Sequence, residues 1–263
     1  MTPYLSLYGA RFRTLLQYRL AAFAGFGTQL FWGIIRMMIF QAFYDSSAIA
    51  QPMSRAQAVT YIWLGQAMLG LLPWNLDADI RALMRTGTVA YELLRPMDLY
   101  ATWYARAVAQ RTAPTLLRCI PLFLVAGLFF GLRPPASPVA FVEWLLTTAG
   151  AVALGCAFGT LMNVTLVTTV AGEGIWRFAA PLTYTLSGML IPISLLPPAF
   201  IPIVNALPFR GLVDTPFRAY LGLLTPRDLA FGLLHQACWT IALVATGRML
   251  LRRTIGHMVI QGG

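Results

Sequence analysis

The chain contains no lysine: all 19 of its basic side chains are arginine, and only 9 acidic residues oppose them. It also holds just 3 cysteines and 2 histidines. Cys119, Cys156 and Cys238 lie inside hydrophobic stretches without paired spacing, and His235 and His257 are the sole imidazole partners. That pattern excludes a disulfide framework and the common metal-ligand arrays. Polar sequence is equally scarce, with 11% charged against 58% hydrophobic residues and a mean hydropathy of +0.69. No hydrophilic linker separates two regions, so residues 1–263 read as a single domain of a polytopic membrane protein. The formal charge of +10 does not form a stripe suited to nucleic acid. The arginines bracket hydrophobic segments, where they meet the head groups of a lipid bilayer.

About 20 mainly apolar residues are needed to cross the hydrocarbon layer. Six segments are expected to do so, over 21–43, 58–72, 105–130, 139–170, 175–191 and 229–250, giving an all-α fold. Arg11, Arg13 and Arg19 precede the first segment, which lacks a small-residue cleavage site and is expected to be retained. Arg81, Arg85 and Arg95 follow the second, Arg177 lies beside the turn between the fourth and fifth, and Arg248, Arg252 and Arg253 end the sixth. The other side carries fewer, namely Arg55, Arg133, Arg210, Arg218 and Arg227. Positive charge accumulates on the cytoplasmic side, so both termini are expected there.

The stretch before the last span is dense in proline: Pro192, Pro197, Pro198, Pro202, Pro208 and Pro216. Proline removes helix hydrogen bonds, yet Leu190, Ile191, Leu196, Phe200, Ile203 and Val204 keep the segment apolar. A membrane-dipping broken helix over 193–227 satisfies both constraints. Near the N-terminus, Leu5, Tyr8, Phe12 and Leu15 recur at helical spacing, which describes either an amphipathic interfacial helix over 1–20 or an ordinary extension of the first span. In the polar loop 75–104, Ile80, Leu83, Met84, Leu93 and Leu94 alternate with Asp77, Asp79, Arg81, Arg85, Glu92 and Arg95. A short helix, a break at Thr86-Gly87-Thr88 and a second segment stopped by Pro96 fit this pattern. Such a loop either docks a cytosolic partner or only enforces topology.

Other residues have competing readings. Arg36, Arg111 and Arg118 sit within or near spans, where a charge must snorkel, pair or face a protected cavity. Arg111 and Arg118 share a helix face that points either into a pathway for an anionic group or toward a second subunit; Arg111 can also snorkel to the cytoplasmic side. Arg36 is expected to snorkel outward. Gly155 and Gly159 have small-xxx-small spacing suited to close helix approach, and Asn163, Thr165, Thr168 and Thr169 either bond between helices or line a cavity. Glu173 and Arg177 either pair or touch a partner. Trp63, Trp74, Trp103, Tyr100, Tyr104, Trp144 and Trp176 are expected in an aromatic belt.

The order of these features, with Leu186-Ser187-Gly188-Met189-Leu190-Ile191-Pro192, Leu196-Pro197 and Leu207-Pro208-Phe209, resembles the permease subunits of ABC-2-type exporters. Arg85-Thr86-Gly87 and Leu93-Leu94-Arg95-Pro96 resemble a bacterial subgroup with paired permeases. The resemblance implies a transmembrane subunit of an ATP-driven exporter in the bacterial inner membrane, working with two ABC ATPase subunits and a second permease, homologous or identical. It further implies an ATPase-coupling element over 79–94, with Asp79, Arg81, Arg85, Gly87, Glu92 and Arg95, and an outer hairpin with Pro192, Leu196, Pro197, Pro198, Pro202 and Pro208. Arg118 and Asn163 are the pathway candidates. A standard phosphate-binding loop needs a lysine, so ATP and Mg are expected on the partner ATPase, with no cofactor, metal or catalytic residue on this chain.

Two other classes were weighed. An ion-driven secondary transporter uses an intramembrane carboxylate, and Glu143 is the nearest candidate. An intramembrane serine protease needs a serine–histidine pair, for which Ser187 and His235 are available, but Thr185 stands where the first glycine of Gly-x-Ser-Gly belongs.

Overall fold

The computed structural model describes residues 3–47, 51–86, 88–168 and 172–255. Among the described residues the protein is all-helical, with 80% of them in helices. The helices are α1 (Pro3–Leu16), α2 (Arg19–Ser46), α3 (Arg55–Ala67), α4 (Ala78–Arg85), α5 (Val89–Leu93), α6 (Leu99–Phe129), α7 (Pro138–Thr168), α8 (Gly172–Leu186), α9 (Ile201–Ala206), α10 (Asp214–Tyr220) and α11 (Pro226–Ile255). Among the described residues, four helices are long and apolar enough to cross a membrane: α2, α6, α7 and α11.

Helix α7 is the centre of the bundle. It meets α6, α8, α10 and α11, and 56% of its most apolar window is buried, against 28% or less in the other three long helices. The two remaining expected spans are shorter. Helix α3 has 13 residues, opened by a capping box in which Ser54 and Gln57 bond reciprocally, and is buried continuously from Ala58 to Ala67. A 3₁₀ turn, Leu69–Leu71, extends it. Helix α8 has 15 residues and contains Pro181.

Past α8 the backbone turns at Gly188, whose φ of 88° lies in the left-handed region. A side chain there would also meet the Tyr61 hydroxyl at 2.7 Å. The prolines then act as punctuation: Pro192 precedes the 3₁₀ turn Ile193–Leu195, Pro202 sits in the first turn of α9, and Pro208 opens the 3₁₀ segment Pro208–Leu212. Pro197 and Pro198 lie in the exposed bend between them. The segment divides by environment. Phe200 and Ile203 are exposed, whereas 208–217 is buried throughout. There Phe217 packs edge-on against Tyr61, with centroids 5.1 Å apart, and Asp214 N–H donates to Ser187 O at 3.2 Å.

Three expectations change at this level. Arg36 does not snorkel: it is buried and donates through Nη2 to the carbonyls of Met189 and Leu190, the latter at 2.9 Å. The turn at Gly188 frees those carbonyls from helix bonding, and they satisfy the guanidinium inside the bundle. Trp63, Trp103 and Trp144 are buried rather than lipid-facing. Trp63 fills the space left by the missing side chain of Gly33 and donates to Phe130 O at 3.2 Å. The Gly155/Gly159 face does not simply bring two helix backbones together, because the Arg111 guanidinium occupies the space above Gly159.

Candidate functional site

The polar loop after α3 folds into α4 and α5 around one arginine. Asp77 opens α4 by accepting from Asp79 N–H at 2.9 Å through Oδ1, and its own N–H donates to Asn163 Oδ1 at 3.1 Å. Ile80, fully buried, anchors α4 in an apolar cluster with Trp103, Val164 and Leu251. Above this anchor, Arg106 of α6 reaches three carboxylates: Nε lies 3.3 Å from Asp77, Nη2 3.0 Å from Asp79 and Nη1 3.3 Å from Glu92. Arg11 of α1 adds a contact of 2.5 Å to Asp79, and Trp103 Nε1 donates to Glu92 at 3.0 Å. One guanidinium therefore ties α4, α5 and α6 together, with α1 as an outer brace. Its planar fork suits this multiple pairing.

The second feature is a cleft of 650 Å³ between α2, α6 and the connection from α3 to α4. Its apolar wall comes from Leu69, Leu72, Trp74 and Leu76, and its polar wall includes Gln29, Gln110, Arg111 and Arg118. Arg111 is only 6% exposed. Its partners are the Ala107 carbonyl at 3.3 Å and the Cys156 thiol. Arg118 lies across Gly25 of α2, where a side chain would come within 2.6 Å of its guanidinium. Among the described residues, no acidic side chain pairs with either arginine. A cation placed in a membrane-spanning helix costs at least about 2.5 kcal/mol. Pro114 adds a second polar group, since it has no N–H for the Gln110 carbonyl one turn back.

The coupling residues expected from sequence divide between two settings. Asp79 and Glu92 belong to the arginine node, whereas Arg85 and Arg95 are on its exposed rim. Arg81 is half-buried, and Gly87 lies outside the described residues. Of the pathway candidates, Arg118 lines the cleft together with Arg111, as their shared helix face requires. Asn163 is placed elsewhere, as the buried acceptor that tethers Asp77 to α7. Thr165 donates to Met162 O within its own helix; the side chains of Thr168 and Glu173, and all of Thr169 and His257, lie outside the described residues.

Arg106 is the residue at the centre of this node that the sequence alone does not single out. The signal for it was the concentration of Asp77, Asp79 and Glu92 in one short loop of a chain so poor in acid. Ser187 and His235 do not form a dyad: Ser187 Oγ is buried and donates to Tyr184 O at 3.3 Å, while His235 stacks obliquely beside Phe231.

Four long apolar helices thus frame a polar-lined cleft and a charge-knotted pair of short helices. Comparison with curated proteins finds no match. The sequence profile described as ABC-2 family transporter protein matches residues 30–262, nearly the whole length. This multi-pass membrane protein therefore belongs to the ABC-2 transporter family and is a transport permease.

Proposed function

We propose that this permease is one half of an ATP-driven exporter of the bacterial inner membrane, with both termini cytoplasmic, paired with a second permease and two ABC ATPase subunits. In this reading α3 and α8 complete six crossings, α1 lies in the cytoplasmic interface, and the broken segment after α8 forms a re-entrant outer hairpin. ATP and Mg act on the partner subunits, consistent with a sequence that has no lysine for a standard phosphate-binding loop.

One observation carries the coupling role. The connection that lines the cleft runs directly into α4: Trp74, Asn75, Leu76 and Ala78 are cleft residues, and Ala78 is also the first residue of α4. Force applied to α4 by a closing ATPase would reach the cleft wall without crossing a flexible linker. The Arg106 node makes α4 and α5 move as one body with the start of α6. ATP binding then biases the permease between inward- and outward-facing states through differential contacts in each.

Gentle solubilisation of the tagged protein from its native membrane, identification of co-purifying chains and a vanadate-sensitive ATP hydrolysis assay test this reading. Recovery of a nucleotide-binding subunit with that activity is the expected result. A stable complex with neither would overturn it and favour an ion-driven transporter.

A further inference from the structure

We infer that the cleft between α2 and α6 binds an anionic amphiphile, a single phosphate or carboxylate head on an apolar body, with Arg111 and Arg118 holding the head. The inference rests on the transport reading of this cleft and specifies its substrate class.

Three observations converge. Arg111 is nine-tenths buried and lines the cleft, yet its Nε has no hydrogen-bond partner, and neither does the Nε of Arg118. A thiol and a backbone carbonyl are its recorded contacts, and neither carries an opposing charge in its ordinary state. Arg111 and Arg118 lie two helical turns apart on one face of α6 and both line the cleft, Arg111 seated over Gly159 of α7 and Arg118 across Gly25 of α2, so each offers forked donors there.

The rest of the lining selects for more than charge. Leu69, Leu72, Trp74 and Leu76 supply an apolar surface within the same cleft. A cleft of 650 Å³ is within the usual range of small-molecule sites, about 300–1,000 Å³. A bare inorganic anion would leave the apolar wall uncovered, and a neutral hydrocarbon would leave the guanidiniums unpaired. An amphiphile with one anionic head satisfies both walls.

The test uses the full chain in phosphatidylcholine nanodiscs, titrated with radiolabelled dodecyl phosphate. Unlabelled dodecyl phosphate, dodecanol and inorganic phosphate serve as competitors, and a phosphatidylglycerol nanodisc asks whether a bilayer lipid occupies the same site. Saturable binding displaced by dodecyl phosphate, but not by dodecanol or inorganic phosphate, is expected. Suppression of that binding in phosphatidylglycerol would identify a membrane lipid as the occupant; unchanged binding would identify a separate amphiphile, and either supports the site. Arg118→Gln, at the half-exposed position, should weaken binding at least about tenfold, the loss expected for one charge-assisted contact. Arg227→Gln should change it less than twofold. Arg111→Gln is informative only as a monodisperse protein, so the competition series on the unaltered chain stands independently of it. Non-saturable partitioning, displacement by inorganic phosphate alone, or indifference to Arg118→Gln would overturn the inference. Binding needs neither ATP nor a partner, so its failure would leave the exporter reading to the co-purification result.

Discussion

At the residue scale, two positions show how strongly this sequence depends on single side chains. Gly188 adopts a left-handed backbone and faces the Tyr61 hydroxyl, so Gly188→Ala combines conformational strain with a steric clash. A loss of roughly 1–3 kcal/mol is expected, visible as a lower thermal midpoint in detergent; an unchanged midpoint would show that the turn is not required as described. Arg106 presents the electrostatic counterpart. Its side chain is 11% exposed and serves three carboxylates, of which Asp77 is more deeply buried and Glu92 about equally so. Removing it by Arg106→Gln leaves those carboxylates without their shared cation, a loss of about 3 kcal/mol or more when a buried pair is broken from one side. Asp79→Asn removes a half-exposed partner instead, and should cost no more than about 1 kcal/mol. Denaturant or thermal titration of the two variants side by side checks the ordering, and equal losses would mean that the node is not centred on Arg106.

At the element scale, α4 and α5 set a buried and an exposed environment side by side in one loop. Glu92 faces inward to Arg106 and Trp103, while Arg85 is exposed at the last turn of α4. Glu92→Gln should therefore lower thermal stability and, through the loosened node, weaken coupling. Arg85→Glu should reduce ATPase association or the transport obtained per ATP hydrolysed by more than its effect on stability accounts for. Paired thermal and reconstituted transport assays distinguish these outcomes; normal coupling in both variants would remove the docking role of the loop. Sequence made the element pattern readable up to this point, because Ile80, Leu83 and Met84 mark the buried face of a short helix and Asp77 marks its cap. The inward Arg106 was hidden for a physical reason. Its partners lie in the loop some 14–29 residues earlier, and hydropathy treats the residue as the polar beginning of a span. Hydropathy likewise reports that α3 and Trp63 are apolar without distinguishing burial against protein from exposure to lipid. The trapping of Arg36 required knowing that a turn would release the carbonyls of Met189 and Leu190.

At the scale of the whole molecule, α7 acts as the frame to which both the cap of α4 and the broken segment after α8 are fixed. Asn163 near one end holds the cap of α4, while the Thr147 carbonyl toward the other accepts from Gln236 Nε2 at 2.8 Å. The same Gln236 nitrogen donates to Gly211 O at 2.7 Å, tying α11 to the buried part of the broken segment. The exposed part is held more lightly, with Trp239 Nε1 donating to Ala206 O at 3.2 Å. If the hairpin opens as an outer gate, that light contact must part while the Gln236 anchor persists. Cysteines introduced at Ala206 and Trp239, in a chain whose Cys119, Cys156 and exposed Cys238 have been replaced by alanine, and bridged by a thiol-reactive, reducible linker that spans the space of the lost indole, place a removable lock across this contact. Crosslinking is expected to abolish export in reconstituted vesicles, with recovery on reduction of the linker and with membrane assembly unchanged. Full export after confirmed crosslinking would show that α9 and α11 move together, and would shift the gate to the other side of the hairpin.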